Sequence, residues 1–178
     1  MKAELSIIIV NWNGGDFLRR AVECVAAAPP RTSFDIIVID NHSSDDSLER
    51  MRASTVVKQL DAAQLRVVVN ADNLGFSKAN NQGFGLTDAP LLFLLNSDAE
   101  VRAGAIDKLV ETIRSEHETG ACGPLLVNPD GTLQPSVFRN PPTAWETLLS
   151  GFRLHRLLPA RARGELLLGG HWDHATRR

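Results

Sequence analysis

Cysteine is scarce: Cys24 and Cys122 are the two in 178 residues. So few exclude a disulfide-stapled scaffold and point to a reducing, cytoplasmic setting. An excess of one charge sign is also lacking. Nineteen lysines and arginines against 21 aspartates and glutamates leave a formal net charge of −2. That excludes a polybasic nucleic-acid binder, so no nucleic acid is expected as a partner. Long apolar runs are missing as well. Leu5 to Val10 and Leu91 to Leu95 are the main ones, far short of the roughly 20 residues of a membrane span. The opening residues carry no basic stretch, extended apolar segment or small-residue cleavage site, so no secretory signal is expected.

Several chemical fingerprints are absent too. Asn13-Gly-Gly15 is not the dinucleotide G-x-G-x-x-G, and no G-x-x-x-x-G-K-[ST] phosphate loop occurs. No G-x-S-x-G elbow argues for a hydrolase. No Cys-x-x-Cys or spaced His/Cys set suggests zinc. Neither cysteine has the companions of a nucleophile, and both read as small buried hydrophobes.

What is present is a regular alternation. Leu5 to Val10 reads as a strand, followed by apolar positions at helical spacing from Phe17 to Val25 and a stop at Pro29-Pro30. Phe34 to Ile39 is a second strand, and Asp46 with Glu49 fits a capping pattern for a helix through about Gln59. Leu65 to Val69 is a third strand, and Ser77 can cap a short helix reaching Gly83. Leu91 to Leu95 is a fourth strand, Ala105 to Ile113 an amphipathic helix, and Ala121 to Val127 a fifth strand. Asn128-Pro-Asp-Gly131 then reverses the chain into Thr132 to Gln134. Nearly continuous apolar strands alternating with helices predict an α/β fold, a mostly parallel sheet with helices on both faces. The expected division is a core over 1–140 and a partial, Arg-rich segment over 141–178, where six arginines and two acids follow from Arg153 onward.

Ligands of open parallel sheets bind beyond the carboxyl ends of the strands. Four strands in a row end in Asn or Asp: Asn11 and Asn13, Asp40 and Asn41, Asn70 and Asp72, Asn96 and Asp98. Such residues are routine at turns, but four consecutive occurrences favour a polar ligand site. The set is rich in hard oxygens. Mg²⁺ or Mn²⁺ is typically held by one or two carboxylates together with substrate phosphates.

Six segments carry a specific resemblance. Ser6-Ile-Ile-Ile-Val-Asn-Trp-Asn13 and Val38-Ile-Asp-Asn-His-Ser-Ser-Asp45 resemble the opening of a family 2 glycosyltransferase of GT-A fold. Asn73-Leu-Gly-Phe-Ser-Lys-Ala-Asn-Asn-Gln-Gly83 and Leu94-Leu-Asn-Ser-Asp98 are similar to its rhamnosyltransferase-like branch, as are Gly123 to Gly131 and Arg139 to Pro142. The resemblance implies a Rossmann-like nucleotide-binding domain. It implies that Asn11 and Asn13 lie where the first loop contacts the nucleotide. Asp40 falls where the base or ribose is met. Asn73 and the stretch from Asn80 to Gly83 line the nucleotide and donor pocket. Asp98 matches the carboxylate for Mn²⁺ or Mg²⁺, and Asn96 stands in place of the motif's usual first Asp.

The implied activity is metal-assisted, inverting transfer of a sugar such as rhamnose from a dTDP- or UDP-linked donor to a saccharide or lipid-linked acceptor. The family's general base, an acid in an E-D motif, finds no match here, so no catalytic base is assigned. The alternative is a nucleotide-sugar-binding module or fragment without transferase activity of its own. Three further expectations remain. One is association with the inner membrane face through the Arg-rich segment. Another is self-association through uncovered apolar surface. The last is a tail, His171 to His174, that is solvated rather than metal-binding.

Overall fold

The computed structural model describes residues 3–116, 118–132 and 134. The chain divides into two compact units, Met1–Cys122 and Gly123–Arg178. In the first, β1 (Leu5–Asn11), α1 (Asp16–Ala27), β2 (Phe34–Asp40), α2 (Ser47–Ala53), β3 (Leu65–Val69), α3 (Phe76–Phe84), β4 (Leu91–Asn96) and α4 (Ala105–Ser115) follow in turn. The four strands form one parallel sheet in the order β3-β2-β1-β4. The alternation read from the sequence is therefore present through α4.

The sheet has two differently covered faces. Ile7, Ile9, Ile36 and Val38 pack against Leu18, Val22 and Val25 of α1, Met51 of α2, and Ile106 and Val110 of α4. On the other face Ile8, Val10, Ile37 and Ile39 meet Ala79 of α3. Gly83 makes that second contact close. A Cβ there would lie 2.7 Å from Ile8 Cγ2, so only a hydrogen lets α3 settle on β1. α3 leaves β4 bare on this side: Leu92 and Leu94 are 45% and 49% exposed.

Several local expectations are corrected. Asp46 stands at the N-cap of α2 without capping by its side chain, which instead pairs with Arg50 at 2.8 Å. The neighbouring Asp45 takes that role, accepting from the Ser47 backbone N–H at 3.2 Å. α2 stops at Ala53, short of Gln59, because Ser54 Oγ accepts from Val56 and Val57 N–H and turns the chain into a separate 3₁₀ turn, Val57–Gln59. Gly75, at φ 80°, begins α3; Ser77 lies inside it.

The fifth strand does not form. Residues 121–126 are irregular and Val127 is an isolated bridge. The segment runs across the boundary between the two units, and Leu125 and Leu126 are exposed. Consequently Cys122 is exposed as well, its thiol reaching the Leu109 carbonyl at 3.6 Å, and is no core hydrophobe. Cys24 is half-buried, and burial pushes its thiol pKa up. The turn at 128–131 does form: Asn128 N–H donates to the Thr132 carbonyl at 2.7 Å and Gln134 N–H to the Leu126 carbonyl at 2.9 Å. Gly131 takes φ 85° there. The Arg-rich segment and the His171-to-His174 tail lie outside the described residues.

Candidate functional site

Strand parity sets the character of each residue at the carboxyl edge of the sheet. Alternate residues of a strand share a face. Asn11 continues the row of Ile7 and Ile9, and Asp40 the row of Ile36 and Val38, on the face covered by α1, α2 and α4. The two are register partners, and both are buried, Asn11 at 0% and Asp40 at 1% exposure. Asn96 belongs to the other row, with Leu92 and Leu94 beside Ser6, Ile8 and Val10. α3 does not cover it there, and it is exposed.

Asn11 is the hub of the first two loops. Its Nδ2 donates to Asp40 Oδ1 at 2.8 Å, Ser47 Oγ at 2.8 Å and Ser43 Oγ at 3.1 Å. Its Oδ1 is buried with no hydrogen-bond partner. Reversing the amide would put that oxygen against the Asp40 carboxylate, so the orientation follows from charge. An unpaired buried acceptor costs about 1–3 kcal/mol. The remaining Asp40 oxygen, Oδ2, accepts from Ser43 N–H at 3.0 Å.

The loop after β1 is stitched to the loop after β2 at three further points. Asn13, at φ 50°, donates its N–H to Ser43 Oγ at 2.9 Å and accepts from Ser44 N–H at 2.8 Å. Gly15 N–H donates to Asp45 Oδ2 at 2.8 Å. Ser47 Oγ donates to Asp45 Oδ1 at 2.6 Å, closing the circuit back to Asn11. Burial pushes the Asp45 carboxyl up, but the bonds from Ser47 and Gly15 outweigh it and hold the group below the usual carboxylate range.

The loop after β3 joins through Asn41. Asn41 Nδ2 donates to Asn73 Oδ1 at 2.7 Å, and Asn41 Oδ1 accepts from Leu74 N–H at 2.9 Å and Asn70 Nδ2 at 3.3 Å. Asn70 and Gln82 exchange reciprocal amide bonds of 3.0 and 2.9 Å, which tie this loop to α3.

The sequence-expected residues therefore fall into three groups. Asn11, Asn13 and Asp40 meet around Ser43, and Asn73 joins them through Asn41. Asn80 and Gly83 serve α3: Asn80 is buried, bonding the Phe76 carbonyl at 2.9 Å, and Gly83 abuts Ile8. Asn96 and Asp98 stand apart. Both are exposed, and the Asp98 carboxylate has no hydrogen-bonded or ionic partner among the described residues. The sequence reading did not name Ser43, Asp45 and Ser47 as members of the network, and gave Gln82 only within the stretch from Asn80 to Gly83. The signal for the first three was the density of short oxygen-bearing residues from Asp40 to Ser47.

The sheet order places the crevice. β1 connects to β2 on one side, while β4 is added on β1's other side. Ligands of such sheets sit at this reversal. Here it is flanked by the β1 loop, with Trp12 60% exposed, and by the residues after β4. No group of three or more His, Cys, Asp or Glu that could hold a metal occurs among the described residues. A hard divalent cation needs one or two carboxylates when phosphates supply the rest. The exposed carboxylate of Asp98, without a partner among the described residues, and the amide oxygen of Asn96 fit that requirement, and only in the company of an anionic ligand.

A parallel sheet in this order with helices on both faces is an α/β, Rossmann-like fold of GT-A type. The model of the glycosyl transferase family 2 matches residues 6–165, and the chain belongs to that family. Among curated proteins it is 30% identical to a succinoglycan biosynthesis protein, ExoU, of Rhizobium meliloti over 107 residues, 60% of this chain and 30% of that protein. It is 26% identical over 148 residues to an N-acetylglucosaminyl-diphospho-decaprenol L-rhamnosyltransferase of Mycobacterium tuberculosis, covering 77% of this chain and 46% of the relative. The chain thus spans less than half the length of these relatives. Among solved structures it resembles S. aureus TarS 1–349 in complex with UDP (TM-score 0.55, 20% identity, 70% of this chain and 38% of that one). It also resembles the mannosyltransferase PcManGT of Pyrobaculum calidifontis in complex with GDP-Man and Mn²⁺ (TM-score 0.59, 15% identity, 73% and 37%). At these identities the two structures establish the shared fold.

Proposed function

We propose that the chain, over residues 1–140, binds a nucleoside diphosphate sugar along the carboxyl edge of its sheet and is the donor-binding part of a sugar transferase. The observation that carries this reading is the placing of a fixed, buried carboxylate, Asp40, and an exposed one without a partner among the described residues, Asp98, on either side of the strand reversal. Asp40, with Asn13 and Asn73, serves the nucleoside portion. Asn80 and Gly83 support the donor side through α3. Asp98, with Asn96, would hold Mn²⁺ or Mg²⁺ beside the diphosphate. Such a cation supplies neutralisation of the charge that builds on the departing phosphate.

The transfer is inverting, the donor a dTDP- or UDP-linked sugar such as rhamnose, and the acceptor a saccharide or a lipid-linked one. Support for donor and acceptor comes from the rhamnosyltransferase relative's name, and for the cation from the fold neighbour holding GDP-Man and Mn²⁺. No helix among the described residues is long and apolar enough to cross a membrane. A cytoplasmic protein working at the inner membrane face is consistent with that, with self-association through the bare Leu92 and Leu94.

Calorimetric titration of the 178-residue chain with UDP and dTDP, with and without Mn²⁺, tests the reading. Manganese-dependent binding that Asp98→Ala abolishes is expected. Binding unaffected by Asp98→Ala removes the metal assignment, and no binding of either nucleotide removes the reading. Sugar transfer by this chain alone excludes the alternative of a binding module without activity of its own.

A further inference from the structure

We propose that Asn11 is a positioning residue, acting on the nucleoside through Asp40, and that Gly14 is glycine because Asn11 needs its space. The inference rests on the reading that Asp40 meets the nucleoside. Asn11 and Asp40 are both buried, at 0% and 1% exposure, but each Asp40 oxygen accepts one bond among the described residues and keeps a lone pair to offer, whereas the Asn11 amide has no hydrogen left for a ligand. Its two amide hydrogens are shared among Asp40, Ser47 and Ser43, the last the longest of the three at 3.1 Å, and its oxygen faces Gly14. A Cβ on Gly14 would lie 2.4 Å from Asn11 Oδ1, while its other neighbours, Asn11 Cγ and Leu18 Cβ, lie at ordinary distances of 3.6 and 3.7 Å. Gly14 does not take positive φ, so alanine is barred there by this one oxygen and not by backbone strain. Turning the carboxamide to make room would take its donors away from Asp40. Asn11 therefore holds one carboxylate oxygen, Ser43 N–H holds the other, and Gly14 guards the arrangement.

The test is a double-mutant cycle on the full chain, with UDP and Mn²⁺ as probes. Asn11→Ala and Gly14→Ala should each weaken UDP binding by about tenfold, the scale of one lost hydrogen bond to a charged group. The Mn²⁺ concentration that half-saturates the UDP-loaded chain should stay within about twofold, because the Asp98 end is untouched; a general loss of structure would move both. Asn11→Ala/Gly14→Ala should bind UDP like Asn11→Ala alone, since the oxygen that collides with the new Cβ is gone. Additive losses, or UDP and Mn²⁺ affinities falling together, overturn the proposal. If Asn11→Ala does not fold, Gly14→Ala, which removes no donor, decides on the same UDP-against-Mn²⁺ criterion. If wild type binds no nucleotide, the functional reading falls and this inference with it. If Asp40→Ala weakens UDP binding while Asn11→Ala and Gly14→Ala do not, only the inference falls.

Discussion

The two ends of the sheet's carboxyl edge are built in opposite ways. At the β1-β2-β3 end, three loops are fastened by side-chain amides, hydroxyls and carboxylates, with Asn11, Asp40 and Asn41 all buried. At the β4 end, Asn96 and Asp98 are exposed and Leu92 and Leu94 lie bare. The difference follows from strand parity and from which face each helix covers. It teaches that, among the described residues, one half of the edge is tied together by its own side chains and the other is not; on the proposed reading a ligand completes the second. A preorganised polar pocket spends its ordering cost at folding, whereas an isolated exposed carboxylate gains a fixed position only with a cation and phosphates beside it.

Asp40→Ala attacks the finished end most directly. It leaves Asn11 Nδ2 and Ser43 N–H without their carboxylate, so a loss of about 3 kcal/mol is expected in urea unfolding, together with loss of UDP binding. Stability within experimental error of wild type would mean the network is ornamental. Gly83→Ala works from beneath. The added methyl collides with Ile8 Cγ2, and overpacking of this kind costs about 1–3 kcal/mol; UDP binding should weaken with it, because Gln82 anchors Asn70.

Acid gives a third, smaller handle. The Asp45 carboxyl sits below its ordinary value of 3.8 in the folded chain. Its contribution is therefore complete at neutral pH and is lost as pH falls past 3.8 through the folded value. The melting-temperature gap between wild type and Asp45→Asn should be present at pH 7 and shrink as pH falls below 3.8; a gap independent of pH would show that charge plays no part. The smallest effect on stability belongs to the open end. Asp98→Ala should change unfolding free energy by less than about 0.5 kcal/mol, as for an exposed side chain without partners among the described residues, while removing the Mn²⁺ dependence of nucleotide binding.

Much of this was legible in the sequence. Unbroken runs such as Ile7-Ile8-Ile9 and Ile36-Ile37-Val38-Ile39 announce strands buried on both faces, and the Asn/Asp residues at their ends locate the edge. The failures have physical causes. Ala121 to Val127 has strand-like composition, yet a strand needs a neighbour to pair with, and the unit boundary falls there. Asn11 looked like a ligand contact because of its place at a strand end. Counting by twos from Ile7 and Ile9 would have turned it inward, but nothing in the sequence shows that Ser43, Ser47 and Asp40 await it. Equally, Asn96 and Asn11 are the same residue type at the same kind of position, and strand parity together with helix coverage separates them. That coverage is tertiary, set by Gly83 bringing α3 onto β1 rather than onto β4.

Hydrogen–deuterium exchange on the full chain, with and without UDP or dTDP and Mn²⁺, tests the contrast most directly. Backbone amides of residues 41–47 and 70–75 should be protected before ligand is added and change little afterwards, while residues 96–99 should exchange fast in the free chain and become protected only with nucleotide and Mn²⁺ together. Protection that first appears across 41–47 on nucleotide binding, with 96–99 unchanged, would contradict a prebuilt nucleoside end and a ligand-completed metal end.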